Sequence, residues 1–330
     1  MTRLAVLVGA LLLFLAVPFF IARLQMPPRW TARLVFIALL GMVASTAVLL
    51  AAILMPEALV LSSIRQVWAT CSAAFHSIGN HPLARVPSIL AGITLGIVLG
   101  RFWWTFIQGI RAMRKGRIRQ LEPRWRLERG QSVYVVPLDQ PEAYAVGAAH
   151  GQVVISQGLL DVLDEEERRA MLLHEEGHLR AWHQPMMLVA RAAAAALRPL
   201  APAGAAMSMV EQAVEESADE YAAKRLGRAA TVARSVSKAA IAGLRNPVGA
   251  VALGAGPDVP ARVRRLLDPP EIPRWIPVVC GGIAVALVGL IAVTQMVAGV
   301  AVVAAAHHFI GLGAATFCPA MSPRAAAGLG

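Results

Sequence analysis

The sequence predicts an α-helical integral membrane protein with about four transmembrane helices and a mainly helical extra-membrane domain carrying a small β element. Three observations predict it. Of the 330 residues, 57% are hydrophobic and 15% charged, and the mean hydropathy is +0.59, a membrane composition. Apolar runs long enough to cross a bilayer recur at 4–22, 34–55, 87–107 and 275–303. The net charge of +11 gathers beside those runs, so membrane topology explains it better than nucleic-acid binding. Three cysteines are too few for a disulfide framework.

In order, Leu4 to Ala22 is a continuous run with Pro18 inside it and no small-x-small cleavage site behind it, so it is read as a retained span. Arg23, Arg29 and Arg33 flank Pro27-Pro28, against Arg3 alone at the start. This puts the 23–33 loop inside and the N-terminus outside. Leu34 to Met55 is the second span. The loop of residues 57 to 86 then lies outside, and its His76 and His81 are read as incidental. Pro87 to Ile107 is the third span, with Arg101 snorkelling and Trp103 and Trp104 at the interface. A basic block from Arg111 to Arg129 makes the following domain cytosolic and suits anionic headgroups. Residues 1–110 thus form a membrane region, 111–270 the cytosolic domain, and 271–330 a last span with a short outer tail. Cys71 and Cys318 fall on the same outer side, though pairing is disfavoured, and Cys280 is an inert core residue.

Within the domain, Ser132 to Val136 and Gln152 to Ser156 read as short strands, with turns at 137–141 and at His150-Gly151. His150, beside that glycine, is read as a turn residue. The chemistry enters at His174-Glu175-Glu176-Gly177-His178. On a helix, positions i and i+4 share a face, so the two imidazoles can bind one metal ion. Asp164 and Glu167 make a capping box that starts this helix, and Pro185 marks its end. Met171, His174, His178 and Ala181 recur on the apolar face, where two unpaired histidines would be costly. Zinc is the natural ion, one per chain. It lowers the pKa of water from about 15.7 to about 7, and Glu175 is placed to take the proton.

A third ligand is required. The downstream helical stretch 211–221 offers Glu211, Glu215, Glu216 and Glu220, and spacing alone does not choose among them. Glu215 and Asp219 stand one turn apart, so one can bind metal while the other supports a ligand histidine. Ala213, Val214, Ala218, Ala222 and Ala223 give that stretch a small-residue face for close packing. Residues 186–210 are apolar, yet one crossing would separate Glu215 from the histidines, and 36 intervening residues are too few for two crossings. An amphipathic or re-entrant hairpin dipping into the membrane is expected there. A third helix is expected at 231–244, then a Gly-Pro loop at 246–260, then Arg262, Arg264 and Arg265 before Pro269-Pro270.

His-Glu-x-x-His followed by Glu215-x-x-Ala218-Asp219 resembles the membrane zinc metallopeptidases of the BlaR/MecR regulatory type and the related HtpX and CAAX prenyl protease families. Residues 141–147 resemble the family's edge strand, 153–160 its "GLL" segment, and Lys224-Arg225-Leu226-Gly227 its basic residue and helix end. The resemblance, over roughly residues 130 to 230, implies Glu215 as third zinc ligand and Asp219 as its supporting acid. Lys224 or Arg225 is then a candidate oxyanion stabiliser. It also implies a zinc endopeptidase in the inner (plasma) membrane that cuts a protein or peptide substrate, with a cytosolic transcriptional repressor as the leading expectation. Lipid is a partner, nucleic acid is not, and a homo-oligomer is compatible. The penicillin-sensor domain of BlaR-type receptors is expected to be absent, and Ser235-Val236-Ser237-Lys238, a Ser-x-x-Lys on an expected cytosolic helix, is not expected to replace it. An HtpX-like quality-control protease is the alternative, with two full spans expected between the motifs. A non-catalytic, zinc-stabilised signalling protein is the alternative from another class. It would need a fourth ligand, and His183, about 140° round the helix from His178, is expected to point away.

Overall fold

The computed structural model describes residues 2–24, 26–54, 82–116, 122–127, 130–147, 151–245, 258–273 and 275–293. Cys71, Cys318, His76, His81, His150 and most of the 246–260 loop lie outside them. The chain divides into two compact units. One holds Leu11–Val43 and Ile97–Gly289, and with them both metal-binding motifs; the other holds Met1–Ala10, Ala44–Gly96 and Leu290–Gly330.

The apolar runs form helices: α1 (Thr2–Ala22), α2 (Pro28–Leu54), α3 (Pro82–Lys115) and, at the far end, α10 (Ile276–Val293). Among the described residues, three stretches are long and apolar enough to cross a membrane, at Pro28–Ala51, Ile89–Lys115 and Ile276–Val293, and Leu7–Ala22 is a shorter apolar helix. Their exposed Leu, Ile, Val and Trp side chains, such as Leu90, Ile93, Trp104 and Val285, suit a lipid surround. Gly41 gives the Phe14 ring its seat, since a Cβ there would overlap the ring.

The domain opens with a four-stranded sheet, β1 (Trp125–Arg126), β2 (Ser132–Val136), β3 (Ala143–Val146) and β4 (Gln152–Ser156), in the order β1-β2-β4-β3. β2 and β4 run parallel, and β3 is antiparallel to β4 and forms an edge. The β-branched runs SVYVV and QVVIS favour strands. Val133, Val153 and Ile155 join Leu159, Leu163, Met171 and Leu179 in one core. Ser156 ends β4 and caps α4 (Gln157–Val162), its hydroxyl accepting the Leu159 N–H.

The metal-motif helix is α5 (Glu165–Arg180), started by the expected capping box between Asp164 and Glu167. It ends before Pro185. Ala181 caps it, and Trp182 takes left-handed backbone angles (φ 57°). α6 (His183–Ala196) begins at once, and Pro185 falls in its first turn, where a missing N–H is harmless. After a turn at 197–200, α7 (Ala201–Leu226) runs unbroken past Pro202 and Gly204 into the acidic stretch. The 186–210 segment is thus a pair of packed helices, α6 against α7.

α8 (Ala229–Arg245) follows, then α9 (Val259–Leu267), a helix not expected from the sequence, whose first residues fall at the end of the expected 246–260 loop. Asp258 caps α9 through the Ala261 N–H, and its buried face carries Arg262 and Leu266. Ser235 and Lys238 on α8 both turn to Glu167, at its carbonyl and carboxylate, a structural use of the Ser-x-x-Lys pattern.

Candidate metal centre and active site

Gly177 decides how near α5 and α7 approach. A Cβ there would lie 3.2 Å from Ala218 Cα, so only a hydrogen lets the helices pack this closely. The small-residue face of α7 meets it, with Ala213, Val214, Ala218 and Ala222 buried. This contact carries the motif histidines of one helix to the carboxylates of the other.

His174, His178 and Glu215 come together, each offering a ligand atom within 4.8 Å of the others. The two Nε2 atoms are 3.1 Å apart, and the Glu215 oxygens lie 3.5 and 3.6 Å from them. Outer groups orient the rings. His174 Nδ1 lies 2.8 Å from Asp219 Oδ1, and His178 Nδ1 lies 3.1 Å from His183 Nδ1. With protons assigned to the Nδ1 atoms of His174 and His178, both Nε2 atoms present lone pairs to one point, beside a carboxylate. That donor set asks for a cation and fits zinc. Burial opposes a charge on His174, yet the Asp219 and Glu215 carboxylates outweigh it and hold its pKa up at about 10. Without metal, a proton fills the cation's role. Burial pushes His178 down to about 4 and His183 to about 3. Burial would raise Glu215, but His178, His174 and Arg262 together hold it well below the carboxylate range.

Arg262 completes the centre, and sequence reasoning had passed over it as one basic residue among three. It is 4% exposed. Its Nε and Nη2 donate to the two Asp219 oxygens at 2.8 Å, and its Nη1 lies 3.1 Å from Glu215 Oε2. One guanidinium therefore braces both Glu215 and the acid behind His174. A signal existed: Asp258, Pro260 and then Val259, Val263 and Leu266 at helical spacing announce α9 with Arg262 among its inward positions.

The expectation for His183 is corrected. It does not point away but returns to His178, because the helix breaks at Trp182 and the 100° step per residue no longer applies. It faces the Nδ1 side of His178, opposite the Nε2 side that meets Glu215, so it supports a ligand rather than adding one. Lys224 and Arg225 are not brought to the centre. Lys224 is nine residues past Glu215, half a turn out of phase and about 13 Å further along α7. It is exposed and paired with Glu220, and Arg225 is exposed on the same last turn.

Glu175 is 5% exposed, its carboxylate accepting the Ala145 N–H of edge strand β3. Burial pushes its pKa up to about 7. The centre opens into a cavity of about 800 Å³, lined by Met171 and Glu175 of α5, Leu188 of α6, Val214 of α7 and Thr105, Gln108 and Met113 of α3. A membrane-length helix thus forms one of its walls.

Residues 126–269 match the model of peptidase family M48. Among curated proteins, a "Protease HtpX homolog" of Aquifex aeolicus is 40% identical over 50 residues, 14% of this chain and 17% of that protein. A protein of the same name from Sulfurovum sp. is 35% identical over 75 residues, 22% and 27%. One from Thermoplasma acidophilum is 38% identical over 58 residues, 17% and 18%. The chain thus spans well under a third of the length of these relatives. No solved structure matches it. The family match runs from β1 through the His-His-Glu centre to just past α9, and over that segment the chain is similar to the M48 peptidases.

Proposed function

We propose that this protein is a zinc-dependent endopeptidase of HtpX-like function, cutting membrane proteins in segments close to the bilayer on the cytosolic side. The carrying observation is the cavity, which holds the His-His-Glu centre and is walled by α3, a helix long enough to cross a membrane. The HtpX relatives favour this reading over cleavage of a cytosolic repressor.

His174, His178 and Glu215 would hold one zinc ion, which supplies a Lewis acid that polarises the scissile carbonyl and acidifies water. Glu175 takes the proton of the attacking water and passes it to the leaving amine. Asp219 and His183 fix the two imidazoles, and Arg262 keeps Asp219 and Glu215 ionised and aligned. The cavity wall of Met113, Met171, Leu188 and Val214 accepts apolar side chains.

The repressor reading keeps one observation in its favour. α6 has 14 residues, about 21 Å of helix, too short for a bilayer core of about 30 Å. One experiment separates the two. Zinc-loaded protein in proteoliposomes is given one unstructured segment twice, tethered to a single-span anchor and as a free soluble peptide. Chelator-sensitive cutting that favours the tethered form is expected. Equal or faster cutting of the free form contradicts a membrane substrate.

A further inference from the structure

The edge of β3 turns main-chain groups toward the active centre, where the Glu175 carboxylate already accepts the Ala145 N–H. Ser156 N–H donates to Glu142 O at 2.7 Å, so residues 142, 144 and 146 address β4. Ala143, Ala145 and Gly147 then turn their N–H and C=O groups outward, toward the cavity side. Such an edge is a ready template for another extended chain. Here it is already taken. The Gln184 side-chain amide donates to Ala145 O and accepts the Gly147 N–H at 2.6 Å. A group that binds the carbonyl of one residue and the N–H two residues on makes the pair of bonds that a parallel strand makes.

We propose that Gln184 is a built-in stand-in for a peptide backbone, and that an extended substrate pairs with β3 only after the Gln184 amide has left it. This rests on the peptidase reading and adds a self-occupying contact to it. The position of Gln184 supports the assignment. It lies two residues after Trp182, whose left-handed backbone turns the chain sharply between α5 and α6. A bulky residue there is strained, and the strain is held by the next two side chains, His183 on His178 and Gln184 on β3. Gln184 also lines the cavity, so its amide sits where a substrate backbone would run.

The test uses full-length zinc-loaded protein in detergent. Binding of a fluorescein-labelled β-casein peptide is measured by anisotropy in a Glu175→Gln background, with and without Gln184→Ala, and KM is measured in the active background. Two competing hydrogen bonds are removed, so Kd and KM are expected to fall about threefold to tenfold. Gln184→Glu keeps the chain length but cannot donate to Ala145 O. It should tighten binding in the same direction, and it serves if the alanine variant does not fold. An unchanged or weaker Kd in both variants would overturn the inference and make Gln184 a structural brace. Tightened binding with no hydrolysis by the wild type would keep the inference and overturn the peptidase reading instead.

Discussion

Arg262 is the residue on which the centre leans most. Truncating it leaves the buried Asp219 and the half-buried Glu215 with one countercharge fewer. Arg262→Ala is expected to weaken zinc binding about tenfold to a hundredfold, read by competition with a chromogenic chelator. Arg262→Lys should recover little, because a single ammonium cannot make the two-pronged contact with Asp219. Glu175 gives a second, signed expectation. Its folded pKa lies above the ordinary 4.5, so the zinc-free fold favours the neutral acid. Ionising it costs stability as pH rises from the unfolded value, and the cost is complete above about 7, on the order of 3 kcal/mol. Glu175→Gln should therefore raise Tm of the zinc-free protein at about pH 8 and leave it unchanged near pH 4. An equal effect at both pH values would remove burial as the cause. At this scale His174, Glu175 and His178 were legible by fixed spacing on one helix, and Glu215 with Asp219 only through the family resemblance, since spacing left four glutamates open. Arg262 was not, since it reaches the centre from 43 residues beyond Asp219 and only tertiary packing brings it there.

Between elements, the decisive contact is α5 against α7 at Gly177 and Ala218. Gly177→Ala has to push backbone against backbone by a few tenths of an ångström, which separates the ligands on the two helices. Zinc affinity should fall while helical content by circular dichroism stays the same. Retained affinity would mean that the centre does not depend on that close approach. The capping box foretold the start of α5, and the β-branched runs foretold β2 and β4, because these signals act within a few residues. The corner at Trp182 was not foretold. A tryptophan in a left-handed conformation contradicts local preference, and it is there that His183 and Gln184 return to the site. α9 was missed for a different reason: three arginines ahead of two prolines mask the apolar period of Val259, Val263 and Leu266.

At the scale of the molecule, membrane helices and a domain with its own core meet in one unit around the site. The sheet core of Val133, Ile155, Leu159 and Leu179 and the second core, shared by α5, α7, α8 and α9, are built from apolar side chains and not from the candidate ligands. Removing the metal should therefore abolish peptide cleavage yet leave far-ultraviolet dichroism unchanged. Collapse of the helical signal on chelation would instead make the metal a structural one. The membrane composition was plain from the apolar runs, whereas Lys224 and Arg225 were drawn toward the site by likeness alone, and their distance of about 13 to 15 Å along α7 from Glu215 keeps them from it. The most direct test is zinc per chain in purified protein, measured beside Glu215→Ala and Glu175→Gln. One zinc in the wild type, retained in Glu175→Gln and lost or weakened in Glu215→Ala, is the expected result. Zinc that survives Glu215→Ala undiminished, or no zinc in the wild type, would contradict the His174–His178–Glu215 centre.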